Sequence, residues 1–399
     1  MKNLVETNIK RNIYLLYIIK LSKWFMLFMP IVVPFYKANG LELQDLFILQ
    51  AIYSISVVIL EIPSGYFADV IGRKPTLLFG SILATAGFFI YSTTPGFWGF
   101  MAAEVVLGIG TSFVSGADSA LLYDTLFEMK KTKEYLKQEG RLISAGNFAE
   151  AIAGILGGFL AAISIRTPYF FQTAVAFIGV PAAMFLIEPN RHMKLLSINF
   201  YDIVKIFKYA IFENKLLSRN IFFSALIGSS TLTMAWFVQP FFALVEIPLP
   251  WYGVLWTALN LSVAIFALIA YKIEYKLGQV KTVMLITFGI CFGYISLGIF
   301  NTVWAISFIF FFYLIRGIAT PVLKDYINQL TTSDIRATVL SVRSFIIRLI
   351  FSIVGPFFGW ASDTYSLQTA LIIAGTFYFI LSSITAVMYL LAARKPPKN

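Results

Sequence analysis

The residues with chemistry to offer are ionisable groups set inside apolar runs. Lys20, Lys23, Glu61, Glu104, Asp118, Glu150, Arg316, Arg343 and Arg348 each interrupt a stretch otherwise dominated by Leu, Ile, Val, Phe, Ala and Gly. At the centre of a bilayer such a group costs about 3 kcal/mol or more, so it is kept where it faces a cavity, binds something or carries a proton. Glu150 lies near the middle of its run, with Asn147 three residues earlier on roughly the same helical face. A carboxyl there exchanges a proton as its surroundings alternate between an apolar wall and a neighbouring lysine. Glu150 is therefore the first candidate for proton coupling and Glu104 the second. The competing reading is a permanent Lys23 to Glu150 ion pair that only holds helices together.

Lys20 and Lys23 are three apart, share a face and should enter one cavity. With Asn147, Gln239, Asn260, Arg316, Arg343 and Arg348 they form the candidate solute-binding set. Among the embedded charges as a whole bases slightly outnumber acids, which favours an anionic or zwitterionic solute, and Trp24, Trp236, Phe237, Trp256 and Tyr313 would give the cavity an amphipathic lining. Chemistry of other kinds lacks its residues. Cys291 and His192 are the single Cys and His, which removes a disulfide framework, a thiolate metal site and a His-based triad. No phosphate loop is present, no cofactor is expected, and an enzyme is disfavoured.

The elements that must position these residues follow from composition. Hydrophobic residues make up 59% of the 399 residues, charged ones 13%, and Phe occurs 40 times. A chain of this kind has lipid rather than water as its solvent. Taking roughly 20 apolar residues per crossing, spans fall near 13–36, 45–68, 76–94, 97–120, 140–164, 168–187, 217–242, 250–271, 281–300, 303–324, 337–361 and 367–391. The first is too long for a signal-peptide core and carries Lys20 and Lys23, so it reads as a retained helix. Turn residues punctuate the runs at Asn39-Gly40, Pro95-Gly96, Thr167-Pro168, Pro248 and Pro250.

The net charge of +11 does not point to nucleic acid, because the Lys and Arg are spread between apolar runs rather than gathered on a soluble face. They instead mark every second loop: Lys2, Lys10 and Arg11; Arg73 and Lys74; Lys130 to Arg141; Arg191 to Arg219; Lys272 to Lys281; Arg336; and Arg394, Lys395 and Lys398. By the retention of basic loops on the cytoplasmic side, both termini are cytoplasmic in a multi-pass protein of the cell membrane. The longest polar stretch, 188–215, separates an amino-terminal portion, 1–187, from a carboxy-terminal one, 216–399. Within it Ile203, Ile206, Phe207 and Ile211 alternate with Lys205 and Lys208, the rhythm of a helix lying at the membrane surface.

Two short echoes relate the portions. Gly108-Ile109-Gly110-Thr111 matches Gly317-Ile318-Ala319-Thr320, and Gly154-Ile155-Leu156-Gly157 resembles Pro356-Phe357-Phe358-Gly359, at corresponding spans of the two portions.

Between the second and third spans the chain reads Gly65-Tyr66-Phe67-Ala68-Asp69-Val70-Ile71-Gly72-Arg73-Lys74. This resembles the major facilitator signature G-x-x-x-D-x-x-G-R-[RK]. In physical terms Gly65 would let helices approach, Gly72 would allow a tight reversal, and Asp69 and Arg73 would meet helix termini and opposite charges. The resemblance implies an all-α membrane protein of twelve transmembrane helices in two six-helix bundles. It also implies a cytoplasmic gate in which Asp69 docks on the eleventh helix and Arg73 pairs with an acid at the end of the fourth, either Asp118 or Asp124. The alternative is that these charges only set topology.

Two further family patterns depart from type. Glu104 stands where R-x-x-x-G-x-G has Arg, and Ala153-Gly154-Ile155-Leu156-Gly157-Gly158 lacks the Pro of the antiporter pattern G-P-x-x-G-G. The glycines still suit a close packing seam. The expected function is a monomeric secondary active transporter of a small organic solute, working by alternating access with proton-coupled efflux. Symport of an anionic or zwitterionic nutrient, or a transporter-like receptor without net transport, stand as alternatives.

Overall fold

The computed structural model describes residues 2–189, 200–332 and 335–393, and every regular element among them is helical. Ten helical stretches are long and apolar enough to cross a membrane. A helix is the form such a run takes, because lipid offers no partner to an unpaired backbone N–H or C=O. His192, with the rest of 190–199, and the basic tail Arg394, Lys395 and Lys398 lie outside the described residues.

The chain separates into two compact units. The first comprises Met1–Leu41, Ile52–Leu196 and Leu249–Thr257. Its elements are α1 (Lys2–Trp24), α2 (Val32–Ala38), most of α3 (Leu43–Val70), α4 (Arg73–Thr93), α5 (Gly96–Val114), α6 (Ala117–Glu128), α7 (Tyr135–Ile163) and α8 (Thr167–Met184). Helix α4 packs along α5 and α8, and α1 lies against α7 and α8. Asn12, fully buried on α1, ties three segments together: its amide donates to Thr125 Oγ1 and the Ile187 carbonyl, and its oxygen accepts the Ile187 N–H.

Two expected spans are interrupted. The stretch 13–36 leaves the helix after Trp24 and resumes through a single 3-10 turn at Met29–Ile31 before α2. Pro30 has no N–H to continue the ladder. The freed Leu27 N–H is taken by Gln172 Oε1 of α8 at 2.9 Å. Helix α7 crosses so close to this break that a Cβ on Gly157 would stand 1.9 Å from the Leu27 carbonyl oxygen. The stretch 97–120 breaks at Ser115-Gly116, where Gly116 takes φ +81° and redirects the chain into α6.

The second unit comprises Glu42–Ala51, Ser197–Pro248 and Ala258–Asn399. It holds α9 (Phe200–Lys208), α10 (Lys215–Leu244), most of α11 (Leu249–Ile299), α12 (Ile306–Asn328), α13 (Arg336–Thr364) and α14 (Leu367–Ala393). Helix α10 packs against α12, α13 and α14. At 51 residues α11 would be about 76 Å long, more than twice a hydrocarbon core. It is two helical segments joined at Gly278, whose φ of +73° is non-helical, in agreement with the separate spans expected at 250–271 and 281–300.

The apolar face of α9 packs on the second unit. Ile206 and Phe207, with Ile211 just beyond, pack on Ala210, Leu217, Val339 and Val342, and Phe207 meets the Phe345 ring edge-on at 5.9 Å. The side chain of Ile203 lies outside those described.

Candidate functional site

The loop between α3 and α4 is built around one arginine. Arg73 Nη1 lies 2.7 Å from Asp69 Oδ1, one turn earlier, and its Nε lies 3.5 Å from Asp124 Oδ2 of α6. Of the two acids offered by the sequence, Asp124 therefore takes the Arg73 role. Asp118 is engaged elsewhere: Lys20 Nζ sits 3.1 Å from its Oδ2, and its Oδ1 accepts the Ser119 N–H. Lys20 is thereby tied to the first turn of α6. The break at Gly116 turns α6 so that its first turn faces α1 while Asp124 faces Arg73.

Gly72 sits buried at the head of α4 with φ +136°, and the carboxylate of Glu188 covers it, accepting the N–H groups of Arg73 at 2.8 Å and Lys74 at 2.7 Å. An anion at a helix N-terminus meets both the orphan donors and the positive end of the dipole. Glu188 has no counterpart in the sequence motif and was missed for that reason. Gly65 does not act as expected, since nothing lies within 4 Å of where its Cβ would be.

The second cluster surrounds Glu104, which is 5% exposed on α5. Its Oε1 accepts from Tyr91 Oη of α4 at 2.6 Å and from Tyr36 Oη of α2 at 3.1 Å, and the two hydroxyls also meet each other. The rings of Phe35, Phe100 and Tyr169 close the cage, with Tyr169 stacked on Phe35 at 3.9 Å and Phe100 tilted against Tyr91 at 4.9 Å. Arg166 covers Phe35, its Cζ 5.3 Å from the ring centroid, and donates to the carbonyls of Ser92 and Thr94 and to Asn39 Oδ1. The result is one carboxyl held by phenol hydroxyls in an otherwise aromatic pocket.

The remaining candidates lie on α1, α7, α10, α11, α12 and α13. Glu150 and Lys23 are half-buried on α7 and α1, and Asn147 is exposed. Gln239 is 1% exposed in the interior of α10, and Asn260 is half-buried on α11. Arg316 holds its guanidinium over the Tyr313 ring at 5.3 Å, Arg348 is half-buried, and Arg343 is buried on α13 with its Nε on Ser224 Oγ at 2.5 Å. Phe237 stacks edge-on against Phe47 at 5.3 Å and is fully buried, a packing residue rather than a pocket lining. The glycines of the antiporter-like pattern do form a packing seam. A Cβ on Gly154 would lie 2.9 Å from Thr257 Oγ1, one on Gly158 2.8 Å from the Pro250 carbonyl, and one on Gly253 2.1 Å from the Gly154 carbonyl.

A helical membrane chain with this charged loop has the marks of one large class of carriers, and the profile of the Major Facilitator Superfamily matches residues 13–356. The chain belongs to the Major Facilitator Superfamily and is a multi-pass membrane protein. Among characterised relatives it is 26% identical over 181 residues to Multidrug resistance protein 2 of Bacillus subtilis (strain 168), a match covering 44% of each chain. It is also 26% identical over 162 residues to Quinolone resistance protein NorA of Staphylococcus aureus (strain MRSA252), covering 41% of each. These matches span less than half the length of either relative. Solved structures of similar fold include the nucleoside transporter NupG, with TM-score 0.78 at 12% identity, covering 96% of this chain and 98% of that one. A bacterial homologue of the human lysosomal transporter Spinster, inward-facing and unoccupied, gives TM-score 0.77 at 14% identity, covering 98% and 99%. At such identities the likeness is one of fold.

Proposed function

We propose that this protein is a proton-coupled secondary active transporter that exports a small organic solute by alternating access. The observation that carries the coupling is the Glu104 cluster. Three oxygens, Glu104 Oε1, Tyr36 Oη and Tyr91 Oη, lie in mutual contact, yet the two phenols bring only two hydrogens to three contacts. A proton on Glu104 supplies the third donor, and its departure leaves a buried anion whose neighbours must rearrange. A site whose hydrogen bonding changes with one proton is what coupling a proton to a conformational change requires. Glu150 is the second coupling candidate.

The family supports transport, and the relatives whose names record multidrug and quinolone resistance support export of a drug-like compound. The architecture we propose has twelve crossings, obtained by dividing α11 at Gly278 and adding the 18-residue α8 to the ten longer stretches. They group as 1–187 and 216–399, joined by 188–215, with both termini cytoplasmic and the protein acting as a monomer. Arg73 with Asp69 and Asp124 forms the cytoplasmic gate. Arg316 and Arg348, with Lys23, Gln239 and Asn260, are the solute-binding residues we favour, and the solute carries anionic or amphipathic character.

Flux measured in proteoliposomes across a panel of anions, zwitterions and lipophilic cations, with and without a pH gradient, tests this reading. We expect Glu104→Gln to abolish gradient-driven flux while leaving solute exchange without a gradient. Gradient-driven flux within twofold of the parent protein would sink the assignment of Glu104, and no flux of any solute would sink transport.

A further inference from the structure

A cation is buried in the second unit. Arg343 is 7% exposed on α13, and among the described residues no carboxylate pairs with it. Its Nε donates to the hydroxyl of Ser224 on α10 at 2.5 Å. Lys324 on α12 is exposed and lies within electrostatic range of Arg343, which makes the neighbourhood doubly basic. One turn before Ser224 stands Asn220, fully buried, with both its amide nitrogen and its amide oxygen lacking any hydrogen-bond partner. A buried guanidinium with no counter-charge and a buried amide with no partner are each costly, and native interiors avoid both.

The register of the two helices brings these groups to one place. Ser224 meets Arg343, and one turn further along both helices Gly228 meets Ile347. Extending the same step backwards sets Asn220 at the level of Val339. Side chains on a helix lean toward its N-terminus, so the guanidinium of Arg343 reaches back toward that level, over the turn that Asn220 occupies. The fork of Arg343, the Nδ2 hydrogens of Asn220, the hydroxyl of Ser224 and the ammonium of Lys324 are all donors. A planar or tetrahedral oxyanion carries the acceptors that such donors need.

We propose that Arg343, Ser224, Asn220 and Lys324 form a binding site for a single oxyanion, a carboxylate or a phosphate group, between α10, α12 and α13. The site requires binding alone and stands whether or not the protein carries flux. The same oxyanion chemistry is offered by a soluble solute and by the headgroup of an acidic lipid.

Thermal unfolding of the purified full-length protein in nanodiscs of zwitterionic lipid tests the proposal. Inorganic phosphate and benzoate serve as soluble probes, and discs containing phosphatidylglycerol as the lipid arm. We expect a saturable rise in melting temperature with at least one of the three. A response to phosphate or benzoate assigns a soluble oxyanion, and a response to phosphatidylglycerol alone assigns a headgroup. Arg343→Gln should weaken the apparent affinity at least tenfold, while Arg336→Gln, at the start of α13, should leave it unchanged. Should Arg343→Gln fail to fold, Asn220→Asp decides: it supplies an internal carboxylate of the same shape, so it should melt at or above the parent temperature and lose the response. No saturable response to any of the three, or a response that survives Asn220→Asp within twofold, overturns the proposal.

Discussion

Arg73 has a carboxylate on each side, Asp69 from the end of α3 and Asp124 from α6, and is itself only 19% exposed. Partly buried pairs of this kind are coupled, so their removal is not additive. We expect Arg73→Ala and Asp124→Ala each to slow proteoliposome flux at least tenfold, and the double variant to be no slower than either. Flux in the double variant equal to the product of the single losses would show that the two residues act separately. How this site could be read beforehand differs from residue to residue. The charges Asp69 and Arg73 were legible because Gly, Asp and Arg at that spacing on a short basic loop are rare in an apolar chain. The choice between Asp118 and Asp124 was not, since it depends on how far Gly116 swings α6. Glu104 could be picked out as an embedded acid, but Tyr36, Tyr91 and Tyr169 could not, because tyrosine is ordinary in membrane spans and these three come from separate helices.

At the scale of the element, the first turn of α4 depends on a residue more than a hundred positions away. Glu188 closes the two leading N–H groups of α4 and lies against Gly72, whose positive φ leaves room for no other residue at low cost. Loss of a capping acceptor costs about 1 kcal/mol, with a further contribution from the helix dipole. Glu188→Ala should therefore lower the melting temperature of the purified protein, and Glu188→Gln, which keeps one acceptor, should lower it less. Equal melting of Glu188→Ala and the parent would mean that water replaces the cap. The helices themselves were largely visible as apolar runs, with the ends of α7, α10, α13 and α14 close to where hydropathy put them. Their interruptions were not, since hydropathy averages over the few residues that break a helix. The signals were there in Pro30 for the first span and Ser115-Gly116 for the fourth, and they count only when set against the demand of the backbone for hydrogen bonds.

For the whole chain, the short echoes between its portions gain structural content from their contacts. A Cβ on Gly108 of α5 would lie 2.7 Å from Ser56 Cβ of α3, and one on Gly317 of α12 would lie 2.7 Å from the Val263 carbonyl of α11. The first contact joins the fourth apolar run to the second, and the other joins the tenth to the eighth. Each glycine thus makes the same crossing in its own portion, as a duplicated plan requires. The loops after those partner runs also correspond, with Gly72 and Gly278 both at positive φ. The first has Asp69 three residues before its glycine and Arg73 directly after it, where the second has Tyr275 and Gln279, so the two loops share backbone geometry but not this pair of charges. The two crossings should then respond alike to one added methyl group. Overpacking at a close crossing costs about 1–3 kcal/mol, so Gly108→Ala and Gly317→Ala should each lower the melting temperature and slow flux by comparable amounts. Gly65→Ala, on the same α3 but with open space around its Cβ site, should leave the melting temperature unchanged or raise it slightly, as alanine favours a helix. A silent Gly317→Ala beside a damaging Gly108→Ala would show that the echo is one of sequence alone and that the second crossing relaxes where the first does not.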